Sequence, residues 1–152
     1  SGDGTLADRQ LVKTMIADSW IQYQQFRLLV LQTAWKIDQY QDYRKVITDI
    51  SAVKAAMPKV LSDVVGRAIQ LHGSLGISTE LPLGQWSAEA HHMALADGAT
   101  ELHQLQVAKQ LLRGATPAPG LFPTRHKIAL REAAELKLGD RLASVDDLVG
   151  AE

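Results

Sequence analysis

The chain has 152 residues, 46% of them hydrophobic and only 5% aromatic, with a formal net charge of -1 and no cysteine. That length fits one domain with a real core, and the near-neutral charge argues against a nucleic-acid binder, which needs a basic excess to meet phosphates. The missing cysteine excludes disulfides, thiolate nucleophiles and cysteine-ligated metals. No run of uncharged apolar residues is long enough to span a membrane, and nothing resembles a signal peptide. These features predict a soluble, cytoplasmic protein.

Alanine and leucine dominate, which favours helix over sheet. Thr5 followed by Asp8 reads as an N-cap with a first-turn acid. A long helical pattern then runs from Leu6 to about Gln39. Leu11 and Met15, then Ile16, Trp20, Tyr23, Phe26, Val30, Ala34 and Ile37, recur at spacings of three and four, as a core-facing stripe requires. Leu28, Leu29, Leu31 and Trp35 widen that stripe, so this helix is expected to be covered on more than one side.

A polar link from Asp38 to Arg44 turns the chain. A second pattern extends from Val46 or earlier to His72, through Ile50, Val53, Val60 and Val64. Pro58 lies inside it and removes one backbone donor. The apolar phase continues on both sides, so a kink is expected there, with a break at Met57 as the alternative. Gly66 costs helix stability and is expected to mark close packing of another backbone. Gly73 and Gly76 close the helix. A loop to Pro82 follows, then a third helix over about Leu83 to Leu95, and a fourth from Ala99 or Thr100 to Leu112. The expected fold is an all-α, up-and-down helical bundle. Leu11, Met15, Val53, Val60, Val64, Leu105, Leu111 and Leu112 are the candidate core.

Residues 4–113 make up this helical domain. Residues 114–152 read as a Pro- and Gly-bearing linker, a short helix from Thr124 to about Gly139, and a frayed tail. Leu142, Val145, Leu148 and Val149 could anchor that tail weakly.

Asp97-Gly98 breaks the third and fourth helical patterns and places a carboxylate at their junction. Locally, Asp97 could be only the N-cap of the fourth helix. His91 and His92 point in different directions, and neither they nor His72 and His103 have carboxylates at zinc-ligand spacing, so no metal is expected. No phosphate-binding glycine loop and no serine elbow are present.

Read in order, three segments carry more than each does alone: AIQLHGSLGI, then LPL, then ADGATELHQLQVAKQLL. This set, over residues 4–113, resembles the C-terminal helical domain of acyl-CoA dehydrogenases. Their pattern runs A-x-Q-x-x-G-G-x-G-Y, a tyrosine-proline pair, Y-E-G-T-x-E and a final R-x-L-L or K-x-L-L helix. The resemblance implies an FAD enzyme that dehydrogenates an acyl-CoA thioester. A carboxylate base would take the α proton, while the β carbon gives up hydride to flavin.

By that resemblance the base falls on Asp97, where the common branch has glutamate. LADGATELH is similar to a variant branch that carries aspartate, L-A-D-G-x-x-E-V-H. The positions that approach FAD fall on Gln10, Gln70, Gly73, Ser74, Ala99 and Glu101. Ser74 replaces a family glycine and Ala99 replaces a frequent threonine. The family's N-terminal helical domain and middle β-domain have no counterpart here, so the chain reads as part of a larger enzyme. It is expected to be inactive alone, to hold FAD weakly, and to form a homo-oligomer. The alternatives are a non-catalytic scaffold or oligomerisation domain of the same descent, and a small enzyme using only His and Asp.

Overall fold

The computed structural model describes residues 4–117 and 126–149, with side chains described as far as Gly139. Among the described residues every regular element is helical. The helices are α1 (Gln10–Tyr40), α2 (Tyr43–His72), α3 (Leu83–Leu95), α4 (Thr100–Leu111) and α5 (Lys127–Val149). They fall into two compact units, Ser1–Arg113 with α1 to α4, and Gly114–Glu152 with α5.

The first unit starts with a 3-10 turn, Leu6–Asp8. The Asp8 carboxylate accepts the Thr5 backbone N–H at 2.6 Å and the Thr5 hydroxyl at 3.0 Å. This capping box closes the short turn and not the long helix, because Arg9 is extended, at φ -75 and ψ 132, and itself caps α1. The α1–α2 corner is tighter than the sequence suggested. Gln41 alone takes the left-handed backbone, at φ 49, and the Asp42 side chain accepts Arg44 N–H at 3.0 Å. That bond satisfies one of the N–H groups left unpaired at a helix start.

Helix α2 runs unbroken through Pro58, which is buried. It is the hub of the unit, packing against α1, α3, α4 and the Gly73–Ile77 turn. Its buried residues Ser51, Pro58 and Val65, seven apart, return to one face, Val46 is buried near its start, and Leu83 and Ala90 are the buried residues of α3. Ser51 is fully buried, and small side chains on this face let three helices approach one axis.

The α1–α2 hairpin is antiparallel, and polar cross-links fix its register. Arg67 Nε donates to Ser19 Oγ at 2.8 Å and its guanidinium also to Gln22 Oε1. Gln22 Nε2 in turn donates to Asp63 at 2.6 Å, and Lys36 pairs with Asp49 at 2.6 Å.

The expected core is only partly right. Met15, Val53, Val60 and Val64 are half-buried. Leu11, Leu105, Leu111 and Leu112 are exposed, each by more than three-fifths in this chain. The cause is coverage. Only one face of α1 and one face of α4 meet α2, and each helix carries more apolar surface than one neighbour can hide. Gly66 also departs from expectation, since it is exposed and nothing lies within 4 Å of where its Cβ would be. The close approach is at Gly76, where a Cβ would stand 2.6 Å from the Ile69 carbonyl oxygen.

In the second unit α5 passes straight through Gly139 to Val149, where a short helix and a frayed tail were expected. A lone helical glycine costs about 1 kcal/mol, which strong helix formers on both sides outweigh. Arg131 and Glu135 pair along it at 2.8 Å. Thr124, expected to start this helix, and the side chains of Leu142, Val145, Leu148 and Val149 lie outside the described residues.

Candidate functional site

Helix α3 ends at Leu95, and Ala96 turns extended at φ -66 and ψ 137. Asp97 and Gly98 then both take positive φ, 56 and 107. Two successive residues of that kind reverse the chain sharply. Glycine does so freely, while aspartate is among the few side chains that tolerate it. The Asp97 carboxylate is consequently thrown outward and is 88% exposed in this chain. Its contact is Lys54 of α2, whose Nζ lies 3.4 Å from Oδ2.

This placement overturns the cap reading of Asp97. Helix α4 is capped by Ala99, which is extended and offers no side-chain bond. The junction is instead held by Thr100, whose hydroxyl donates to the Ala94 carbonyl at 3.3 Å. From α4 the His103 ring lies under the corner. Its Nε2 is buried without a partner among the described residues and stands 3.4 Å from where a Gly98 Cβ would be.

The other candidates form a separate group. Gln70 is exposed on the last turn of α2, and Gly73 ends the helix at φ 58. Ser74 is exposed on the 3-10 turn that follows. Gln10 begins α1 and is exposed. The register set by Ser19–Arg67 and Gln22–Asp63, continued toward the open end of the hairpin, puts Gln10 level with that turn. Gln10, Gln70, Gly73 and Ser74 therefore share one end of the hairpin. Ala99 and Glu101 belong with Asp97 instead. The stretch of α2 from Lys54 to Gln70 measures about 24 Å at the ~1.5 Å rise of an α-helix. Sequence order brought all seven positions into one list, and the fold divides them between two places.

Neither place is enclosed within this chain, and each presents exposed polar groups. Three of the other histidines have local contacts. The Nδ1 atoms of His72 and His91 lie 2.7 and 3.0 Å from the Ala68 and Ser87 carbonyls, and His92 meets Glu89 at 3.1 Å. Among the described residues no group of three His, Asp or Glu could hold a metal ion, and no helix is long and apolar enough to cross a membrane.

The profile of the acyl-CoA dehydrogenase C-terminal domain matches residues 1–112. The chain belongs to the acyl-CoA dehydrogenase family. This acyl-CoA dehydrogenase domain is 41% identical over 116 residues to (R)-benzylsuccinyl-CoA dehydrogenase of Thauera aromatica, covering 75% of this chain and 28% of that protein. Among solved structures, one described as an acyl-CoA dehydrogenase from Mycobacterium abscessus superimposes with a TM-score of 0.69 at 34% identity. It covers 76% of this chain and 28% of that one. The FAD complex of PigA superimposes with a TM-score of 0.66 at 26% identity, over 75% of this chain and 30% of that one. The domain thus spans under a third of the length of these relatives.

Lys54 is the residue near the acid that reading along the chain missed. It sits in the middle of an amphipathic helix with nothing local to mark it. Its link to Asp97 is made only when α3 folds back along α2.

Proposed function

We propose that this domain completes a flavin-dependent dehydrogenase that oxidises an acyl-CoA thioester between its α and β carbons, and that Asp97 is the base. The observation that carries the reading is the left-handed Asp97-Gly98 corner, which presents a carboxylate at a helix junction instead of using it as a cap. Exposed here, that carboxylate is available for burial beside a substrate once the rest of the enzyme covers it. The setting LADGATELH supports reading the domain as part of a variant branch that carries aspartate at this position. Its shorter reach is then matched by the pocket it serves.

FAD, when bound in the intact enzyme, would supply the hydride acceptor. Gln10, Gln70, Gly73 and Ser74 would meet it at the hairpin end, with side-chain amides and a serine hydroxyl that have no other partners among the described residues. Ala99 and Glu101 would meet it beside the acid. Their distance along α2 suits contacts to cofactors of two subunits in a homo-oligomer. A scaffold without chemistry is the second reading, favoured by Ser74 and Ala99 where the family has glycine and threonine.

Asp97→Asn in the intact flavoprotein tests the choice. The amide keeps the shape but cannot take the α proton. The fold and the flavin should be retained, and flavin bleaching should slow by about 100- to 10,000-fold. Butyryl-CoA, octanoyl-CoA and benzylsuccinyl-CoA are suitable reductants, the last suggested by the Thauera relative. Wild-type bleaching by Asp97→Asn would remove the base, and no bleaching of the unmodified protein by any of the three would favour the scaffold.

A further inference from the structure

Lys54 is placed unusually for a lysine. Its side chain is only 23% exposed, on the helix that forms the hub of the unit. Its aliphatic stem is covered while its ammonium reaches an exposed contact. Among the described residues its ion partner is Asp97, at 3.4 Å. Asp97 likewise has Lys54 as its ion partner. An ion pair with one partner so exposed adds little to stability, so holding the fold together does not account for it. What it does fix is where a carboxylate on a two-residue left-handed corner points.

The corner is braced from three helices. Thr100 ties the start of α4 to the Ala94 carbonyl of α3, and His103 packs beneath Gly98. Both act on the backbone. Lys54 acts on the acid itself, holding Oδ2 and leaving Oδ1 uncommitted. Without it, nothing among the described residues restrains the side-chain torsions of Asp97, which is almost wholly in solvent.

We propose that Lys54 is the positioning residue for the Asp97 carboxylate, fixing one oxygen from α2 so that the other faces the bound substrate. This rests on Asp97 being the base. Lys54 touches no reacting atom, so its effect is on orientation. A misplacement of about 1 Å can cost on the order of 100-fold in rate.

The test has a structural and a kinetic arm. Lys54→Met keeps the aliphatic stem and removes the charge, Lys54→Arg keeps the charge, and Lys54→Gln replaces the methionine variant if that one fails to fold. In the 152-residue chain, 13C NMR reads the Asp97 carboxylate carbon and 15N relaxation reads the Asp97 and Gly98 amides. Lys54→Met should shift the carboxylate resonance and loosen both amides, and Lys54→Arg should resemble wild type.

In the intact flavoprotein, with whichever of the three acyl-CoA probes bleaches flavin fastest, Lys54→Met should slow bleaching about 10- to 100-fold. Half-saturation should change by less than about twofold, and Lys54→Arg should recover most of the rate. Unchanged Asp97 signals in Lys54→Met would overturn the proposal, as would arginine failing as badly as methionine. Slow bleaching by Asp97→Asn alongside normal bleaching by Lys54→Met would sink the Lys54 role alone. Normal bleaching by Asp97→Asn would sink the base reading itself.

Discussion

One methyl group should have opposite effects at two glycines. At Gly76 a Cβ would stand 2.6 Å from the Ile69 carbonyl oxygen and 2.8 Å from the Ile69 Cα. Both are backbone atoms of the helix just ended, and neither can move aside as a side-chain tip could. Gly76→Ala should therefore destabilise the domain by about 1–3 kcal/mol, the usual cost of overpacking. At Gly66 nothing lies within 4 Å, the site is exposed, and the backbone is helical. Gly66→Ala should stabilise by about 0.5–1 kcal/mol, because alanine loses less backbone freedom on folding. Urea denaturation of both variants checks the pair. A neutral Gly76→Ala would mean that the 3-10 turn can lift off α2. Sequence alone marked Gly66 as the tight spot because a glycine inside a helix stands out. The tight spot is in fact the glycine after the helix end, where the chain folds back onto the turn it has just left.

At the scale of elements, the α1–α2 hairpin is held by polar groups as much as by apolar ones. Asp63 is the centre of that clamp, accepting from Lys59 at 2.8 Å and Gln22 at 2.6 Å. The Lys59 hydrogen bond, with Gln22 next, holds its carboxyl below the ordinary value of 3.8. A group depressed in the folded state contributes stability that is complete above its unfolded value and is lost as pH falls through the folded one. The contribution should thus be intact at neutral pH and disappear below about pH 4. Urea midpoints measured from neutral pH downward should fall in that acid range. In Asp63→Asn they should start lower and fall less steeply. An unchanged slope would assign the acid sensitivity to other carboxylates. Helix existence and phase were legible from sequence because spacing of three and four is a local property. The α3 bounds Leu83 and Leu95 match the expectation set by the loop to Pro82 and the Asp97-Gly98 break. Which face is covered is not local. The periodicity that rightly made α4 a helix could not say that α2 would hide only one side of it. The Asp97 corner was legible from its dipeptide, but its partner Lys54 was not, since that contact exists only once α3 has doubled back.

Across the whole molecule, the apolar surface exceeds what the described helices can cover. Along α1, Trp20, Tyr23, Leu28, Leu31 and Trp35 are each about half exposed or more, and Leu105, Leu111 and Leu112 extend the pattern at the other side of α2. Monomeric soluble proteins seldom leave so many large apolar side chains on one helix uncovered. The domain spans under a third of the length of these relatives, and the proposed function assigns this surface to further domains and subunits. Separated from them, the chain should associate with itself through α1. Light scattering at tens of micromolar should give a dimer or larger species, and a clean monomer there would count against it. Trp20→Lys with Trp35→Lys separates this from general stickiness. Both side chains project from α1 and neither is buried, so the fold should persist while the apparent mass falls toward 16.6 kDa. Loss of helical circular dichroism in the double variant would instead place these tryptophans in the support of the hairpin. An unchanged larger mass would move the interface off α1, toward the exposed leucines of α4.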